Sequence, residues 1–144
     1  MKFLFLLILG LTCSLCPLKA ATEQTDDKNG DGKADMWIEQ EDEQILCLRV
    51  DSNFDGAVDY LLRTNQNKEK VYEEIDFNHD GAMDDFYFYS EGVLVRRELD
   101  SNYDGEVDVW VYLSEGVYIQ RYARDRDYDG VIDLERDFTP GTEE

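Results

Sequence analysis

The sequence is poor in the residues that crosslink small domains and build most catalytic sites. Its 144 residues include three Cys, two Pro and one His. Basic residues are also scarce, because 14 Lys and Arg stand against 34 Asp and Glu, for a formal charge of -20. A surplus of negative charge this large disfavours binding to nucleic acid or anionic membranes.

The acidic composition does not make the chain a disordered tail. Apolar residues make up 42% of it and aromatic residues 12%, well above what a solvating acidic segment carries. The length suits one domain. The chain should therefore fold, provided that its acidic groups find partners.

Residues 1–20 have the pattern of a signal peptide. Lys2 is followed by an apolar run from Phe3 to Leu11, and Ala20 is a small residue at which cleavage can occur. The run is too short to cross a bilayer, so no transmembrane segment is expected. We expect an exported protein, periplasmic or extracellular. Loss of Lys2 and Lys19 would change the formal charge from -20 to -22.

The cysteines fit two interpretations of the exported form. Cys13 and Cys16 raise the alternative of a lipid anchor, but Thr12 and Leu15 precede them where a lipoprotein signal prefers small residues. After cleavage Cys47 remains alone and cannot form a disulfide within the chain. Something other than disulfides must stiffen residues 21–144.

An internal repeat determines the organisation of residues 21–144. The pattern D-x-[ND]-x-D-G-x-x-D occurs five times, with starts 24 or 25 residues apart. The five loops are 27–35, 51–59, 76–84, 100–108 and 125–133. They enclose four near-equal units, so the chain is one repeat domain.

Each unit between loops predicts two short strands around a turn. In the fourth unit, 107–113 is rich in β-branched and aromatic residues, Ser114-Glu115-Gly116 supplies a turn, and 117–123 returns as the second strand. The third unit repeats this arrangement, and the first two have longer polar turns at 41–44 and 64–69. We predict an all-β antiparallel meander of four hairpins, about eight strands, with the loops along one edge. Eight strands suffice for an open sheet or a barrel, and we expect the open, elongated sheet.

The loop pattern has the chemistry of a hard-cation site. Oxygen-bearing side chains alternate at positions 1, 3 and 5, and glycine at position 6 permits a sharp turn. Position 7 varies freely, as expected where a backbone carbonyl is the ligand. Position 9 returns an Asp carboxylate. The five loops therefore predict sites for divalent cations.

The first half of each loop resembles the EF-hand calcium loop. Position 12 holds no carboxylate and no flanking helix is visible, so the loops are more similar to those of FG-GAP and thrombospondin type 3 repeats. The hairpins resemble MORN-type repeats. These resemblances imply up to five Ca²⁺ ions, bound through side chains at positions 1, 3, 5 and 9 and the carbonyl at 7. The implied ligands are Asp27, Asn29, Asp31, Lys33, Asp35, Asp51, Asn53, Asp55, Ala57, Asp59, Asp76, Asn78, Asp80, Ala82, Asp84, Asp100, Asn102, Asp104, Glu106, Asp108, Asp125, Asp127, Asp129, Val131 and Asp133.

An alternative is that Asp, Asn and Gly serve here as turn formers. Electrostatics argues against it, because carboxylates about 4 Å apart repel by roughly 1 kcal/mol per pair even in water. Calcium suits flexible oxygen sites better than magnesium does, and zinc would want His or Cys. His79, at position 4 of the third loop, is expected to be a packing or surface residue.

The remaining residues do not form a recognisable catalytic constellation. Acids outside the loops, such as Glu39, Glu73, Glu74 and Glu98, alternate with apolar residues as solvent-facing positions do. The leading hypothesis is an exported, calcium-stabilised structural or interaction module with a protein or cell-surface glycan partner. The alternatives are a calcium sensor or buffer and, third, a secreted hydrolase.

Overall fold

The computed structural model describes residues 21–139, which form ten β-strands and no helix. The predicted signal peptide, with Cys13 and Cys16, lies outside the described residues. Within residues 21–139 no helix is long and apolar enough to span a membrane. The strands are β1 (Thr22–Asp26), β2 (Met36–Glu41), β3 (Gln44–Val50), β4 (Tyr60–Thr64), β5 (Lys70–Ile75), β6 (Asp85–Ser90), β7 (Val93–Leu99), β8 (Val109–Ser114), β9 (Tyr118–Arg124) and β10 (Leu134–Asp137).

The strands form one antiparallel sheet in which every strand pairs with its neighbours in sequence. β1 and β10 are the two edges, so the sheet is open and not a barrel. The predicted meander of four hairpins is confirmed. The expected eight strands are too few, because the segments before the first loop and after the last loop each add an edge strand.

The hairpin turns follow from their residues. Glu91-Gly92 and Glu115-Gly116 both have positive φ at the two central positions, as the tight turns between twisted strands require. Asp42-Glu43 adopts the same conformation with φ of 48° and 65°, so the first turn is shorter than predicted. The second turn, at 65–69, is longer, as predicted, although Thr64 belongs to β4.

The five Asp-rich loops lie along one edge of the sheet, as predicted. They connect β1 to β2, β3 to β4, β5 to β6, β7 to β8 and β9 to β10, whereas the hairpin turns lie at the opposite edge. Successive loops are therefore two strands apart. We call these two sides, which are formed by the ends of the strands, the loop edge and the turn edge. They are distinct from the edge strands β1 and β10.

Almost no apolar core is present in this sheet. Among the described residues three apolar side chains are buried, Leu61, Val109 and Ala123, whereas ten acidic side chains are buried. The cause is the architecture, because extensive contacts occur between consecutive strands and no second layer covers either face of residues 21–139. Hydrophobic burial therefore contributes less to stability here than in a two-layer domain of this length.

Arginine side chains cover part of one open face. Arg96 lies 3.9 Å from the ring centroid of Phe88, and Arg121 lies 5.3 Å from that of Tyr112. Cross-strand pairing places Arg96 beside both Phe88 and Tyr112, so these groups share a face. Cation–π contacts of this kind partly replace the missing second layer.

Candidate metal centres

The Asp at position 1 organises the first half of every loop. Its Oδ1 accepts the backbone N–H of position 4 and its Oδ2 that of position 6, at 2.6–2.9 Å in all five loops. In the second loop these donors are Phe54 at 2.7 Å and Gly56 at 2.8 Å from Asp51. The loop is thus wrapped around this carboxylate.

The Asp residues at positions 5 and 9 hold the rest of the loop. Oδ1 of position 5 accepts the backbone N–H of position 7 in every loop, as in the 2.8 Å bond from Ala57 to Asp55. Oδ2 of position 9 accepts the backbone N–H of position 2 in every loop, as in the 2.8 Å bond from Phe77 to Asp84. All five sequence-predicted loops therefore share one conformation.

Two positions of the loop have left-handed backbone. Gly at position 6 has φ between 84° and 98°, which confirms the predicted need for glycine there. Position 4 is also left-handed, although it holds Phe54, His79, Tyr103 and Tyr128 with φ between 59° and 66°. Sequence reasoning missed this second constraint, because aromatic residues do not signal positive φ.

The Asp residues at positions 1 and 9 are buried at every junction between loops. The exposed fraction is 1% for Asp51 and 3% for Asp125, and it is 1–3% for the other six acids of the junctions, Asp35, Asp59, Asp76, Asp84, Asp100 and Asp108. Asp27 and Asp133, the first and last acids of the series, are exposed. Burial raises the pKa of Asp84, and the charges of Asp76 and Asp80 raise it further.

The fifth loop gathers three carboxylates. Asp125, Asp127 and Asp133 each offer an oxygen, and these oxygens lie within 4.8 Å of one another. Repulsion from Asp129 and Asp133 raises the pKa of Asp127. This arrangement carries the charge and the oxygen atoms that a hard divalent cation needs.

The first four loops supply an amide where the fifth supplies a carboxylate. In loops two to four the Asn amide at position 3 donates to Oδ2 of the Asp at position 5, at 2.7–2.8 Å. Within residues 21–139 these loops do not bring three carboxylates as close together as the fifth loop does. Their backbone conformation is the same, but they place one amide oxygen among the acids.

Two further buried acids lie in the strands and have basic partners. Asp85 is fully buried, and Arg97 donates to both of its oxygens at 2.8 and 2.6 Å. Glu73, 8% exposed, accepts hydrogen bonds from Lys70, Tyr60 and Tyr89. The prediction that Glu73 faces solvent is therefore wrong, because tyrosines from the adjoining strands cover it.

The buried loop acids differ from these strand acids in their partners. Throughout the described chain, Lys and Arg side chains form no ion pair with an Asp at position 1 or 9. The one basic side chain beside them is His79, whose Nδ1 lies 3.0 Å from Oδ1 of Asp59. The two groups are close enough to interact electrostatically, but Oδ1 of Asp59 accepts no well-directed hydrogen bond. His79 is an exposed surface residue, as predicted, and the carboxylate of Asp59 raises its pKa.

The chain has no match among known protein-family models. No curated protein matches it either. The loop geometry and the chemistry of its residues therefore carry the functional argument.

Proposed function

We propose that this protein is a calcium-binding structural module, stabilised by Ca²⁺ ions held in its loops. The observation that supports the proposal is the contrast between two sets of buried acids. Glu73 and Asp85 are neutralised by Lys or Arg side chains of this chain, whereas the eight buried loop acids accept mainly backbone N–H groups, with His79 beside one of them. Buried charges are normally paired or bound to a metal, so the loop acids call for a cation from outside the chain.

Calcium suits the donor atoms of these loops. The donors are oxygens of Asp and Asn, with the free carbonyl of position 7 within the same turn. Calcium accepts six to eight oxygen ligands in irregular geometry, whereas magnesium demands a near-ideal octahedron and retains water. Zinc would prefer nitrogen or sulfur ligands, and the described loops offer one imidazole among them.

A structural role for the ions fits the architecture. A single-layer sheet with three buried apolar side chains has little hydrophobic burial to hold it together. Bound cations would supply the missing stability, because any ligand that binds the folded state alone stabilises it. For an exported protein, dissociation constants of about 10⁻⁴ to 10⁻³ M would suffice at extracellular calcium levels.

Thermal unfolding followed by circular dichroism tests this proposal. We expect millimolar calcium to raise the Tm by more than about 20 °C relative to chelator, since several sites each add their binding free energy. Magnesium at the same concentration is the control and should give a much smaller shift. Identical melts in calcium and chelator would show that the loops are turns alone. A sensor would instead change its folded structure gradually over the titration.

A further inference from the structure

The loops are joined to one another through the backbone of the proposed ligand residues. At each junction, the N–H of the Asp at position 1 donates to the carbonyl oxygen of the Asp at position 9 in the preceding loop. These N···O distances are 2.8 Å for Asp51 to Asp35, Asp76 to Asp59 and Asp100 to Asp84, and 2.9 Å for Asp125 to Asp108. The peptide groups of neighbouring sites are therefore one hydrogen bond apart.

The same Asp residues also close their own loops. The N–H of position 9 donates to the carbonyl of the residue before position 1, as in the 2.8 Å bond from Asp59 to Val50 and the 2.9 Å bond from Asp84 to Ile75. Each position-9 residue thus joins the start of its own loop to the start of the next one. A cation that fixes this residue also fixes the first ligand of the following loop.

Side chains cross the junctions as well. Phe54 of the second loop lines a cavity with Asp31 and Asp35 of the first loop. Tyr128 of the fifth loop lines a cavity with Asp104 and Asp108 of the fourth. In both places, the residue at position 4 contributes to the wall of the cavity beside the acids of the loop before it.

One buried oxygen at a junction accepts no well-directed hydrogen bond, although the His79 ring lies 3.0 Å from it. Oδ2 of Asp59 accepts three hydrogen bonds, from the backbone and hydroxyl of Ser52 and from the backbone of Asn53. Its Oδ1 is buried without a hydrogen bond, and the group beside it is the imidazole of His79 in the next loop. A buried carboxylate oxygen without a hydrogen bond offers a coordination position to a cation, which would take the place of the nearby imidazole.

We propose that the loops bind their calcium ions cooperatively, through nearest-neighbour coupling across these junctions. The inference rests on the calcium sites proposed above. Filling one loop orders the position-9 Asp, which holds the first ligand of the next loop in place, so the next ion meets a site that costs less to order. Three or four Asp side chains per loop outweigh the charge of one ion, so repulsion between successive ions is reduced.

The ends of the series identify where coupling is weakest. Asp27 has no loop before it and Asp133 has none after it among the described residues, and both are exposed. A middle loop has two neighbours and a terminal loop has one. In a linear array of this kind, loss of a middle site removes two couplings and loss of a terminal site removes one.

Calorimetric titration of the full chain with calcium chloride tests the coupling. We expect a Hill coefficient above about 1.5. The variants Asp80→Asn in the third loop and Asp31→Asn in the first are compared, because both residues are exposed at position 5 and the amide oxygen can still accept the N–H of position 7. Asp80 also accepts the amide of Asn78, a contact within its own loop. Asp80→Asn should weaken the remaining sites by about fivefold, and Asp31→Asn by distinctly less.

The possible failures of this experiment are distinct. Absence of any calcium binding would overturn the calcium sites and the coupling together. A Hill coefficient of 1, with equal effects of the two variants on the remaining sites, would overturn the coupling and leave calcium binding intact. Circular dichroism on each variant in calcium checks that the sheet is retained.

Discussion

The loop edge and the turn edge connect the same strands in different ways. At the turn edge, two two-residue turns, one three-residue turn and one five-residue turn reverse the chain, and two of these turns share the sequence Glu-Gly. At the loop edge, five nine-residue connections keep Asp at positions 1, 5 and 9 and repeat the same backbone hydrogen bonds. Reversing a strand therefore does not require this acidic pattern, and its repetition at one edge supports the proposed calcium sites.

Asn65 at the turn edge and Asp76 at the loop edge each accept hydrogen bonds from two backbone N–H groups. Asn65 at the turn edge accepts the backbone N–H of Asn67 at 2.9 Å and of Glu69 at 3.1 Å. Asp76 at the loop edge accepts the backbone N–H of His79 at 2.6 Å and of Gly81 at 2.9 Å. Each side chain holds two backbone donors, but Asp76 brings a buried negative charge.

The largest effect is expected from Asp76→Ala. In calcium it should lower the free energy of unfolding by about 3 kcal/mol, because two buried N–H groups and a cation ligand are lost. In chelator the loss should be clearly smaller, since a buried unpaired charge is removed as well. Urea unfolding with and without calcium measures both values. Asn65→Ala is the control and should cost about 1 kcal/mol in either condition. If Asp76→Ala lowers the free energy of unfolding equally with and without calcium, Asp76 is a turn former and not a calcium ligand.

An intermediate effect is expected from Arg97→Gln, which leaves Asp85 buried without its basic partner. The Tyr87 hydroxyl donates to Asp85 but does not neutralise its charge. We therefore expect the free energy of unfolding to fall by about 2 kcal/mol, a loss limited by the partial exposure of Arg97. The loss should be the same in calcium and in chelator, because the pair lies in the strands. A calcium-dependent loss would show that the strand acids and the loop acids do not form separate classes.

The smallest effect, and one of opposite sign, is expected from Asp127→Asn, which gives the fifth loop the amide found in the other four. In chelator the variant should be more stable than the parent protein, because the charges of Asp129 and Asp133 raise the pKa of Asp127. In calcium it should bind the fifth ion more weakly.

The stability that Asp127→Asn gains in chelator should depend on pH, because the pKa of Asp127 is raised in the folded protein. A carboxyl whose pKa is raised on folding favours the folded state while it is protonated, and this contribution is lost as the pH rises through the raised value. The advantage of Asp127→Asn in chelator should thus be absent well below pH 3.8, the ordinary Asp value, and present at pH 7. Melts at pH 3 and pH 7 test it. An advantage that does not change with pH would exclude charge repulsion as its cause.

Much of the architecture could be predicted because each unit repeats two local signals. Alternating β-branched and aromatic residues predict the hairpins, and the Asp-Gly pattern fixes where each pair of hairpins joins. β1 was missed because its sequence, Thr-Glu-Gln-Thr-Asp, is polar and fully exposed. It forms a strand through its pairing with β2, which local β propensity does not reveal. β10 was missed for the same reason, since three of its four residues are charged.

The residue types of the candidate sites could be predicted from the sequence, but the way in which the fold brings them together could not. The candidate ligand positions could be proposed from the repeat, but the convergence of Asp127 with Asp125 and Asp133 depends on the folded loop. The burial of Glu73 depends on Tyr60 and Tyr89, which come from neighbouring strands. Such covering depends on cross-strand register, which alternation within a single strand does not reveal.

Because the strands of this sheet contact mainly their neighbours in the sequence, the width of the sheet can change one unit at a time. Each unit of 24 or 25 residues adds two strands, or about 9.6 Å, at a spacing of about 4.8 Å per strand. Every internal junction has the same Asp-to-Asp hydrogen bond, so a unit can be duplicated or removed while the junctions on either side remain chemically equivalent. Adding or removing one unit would therefore change the width of the sheet by a fixed step, without redesigning a core.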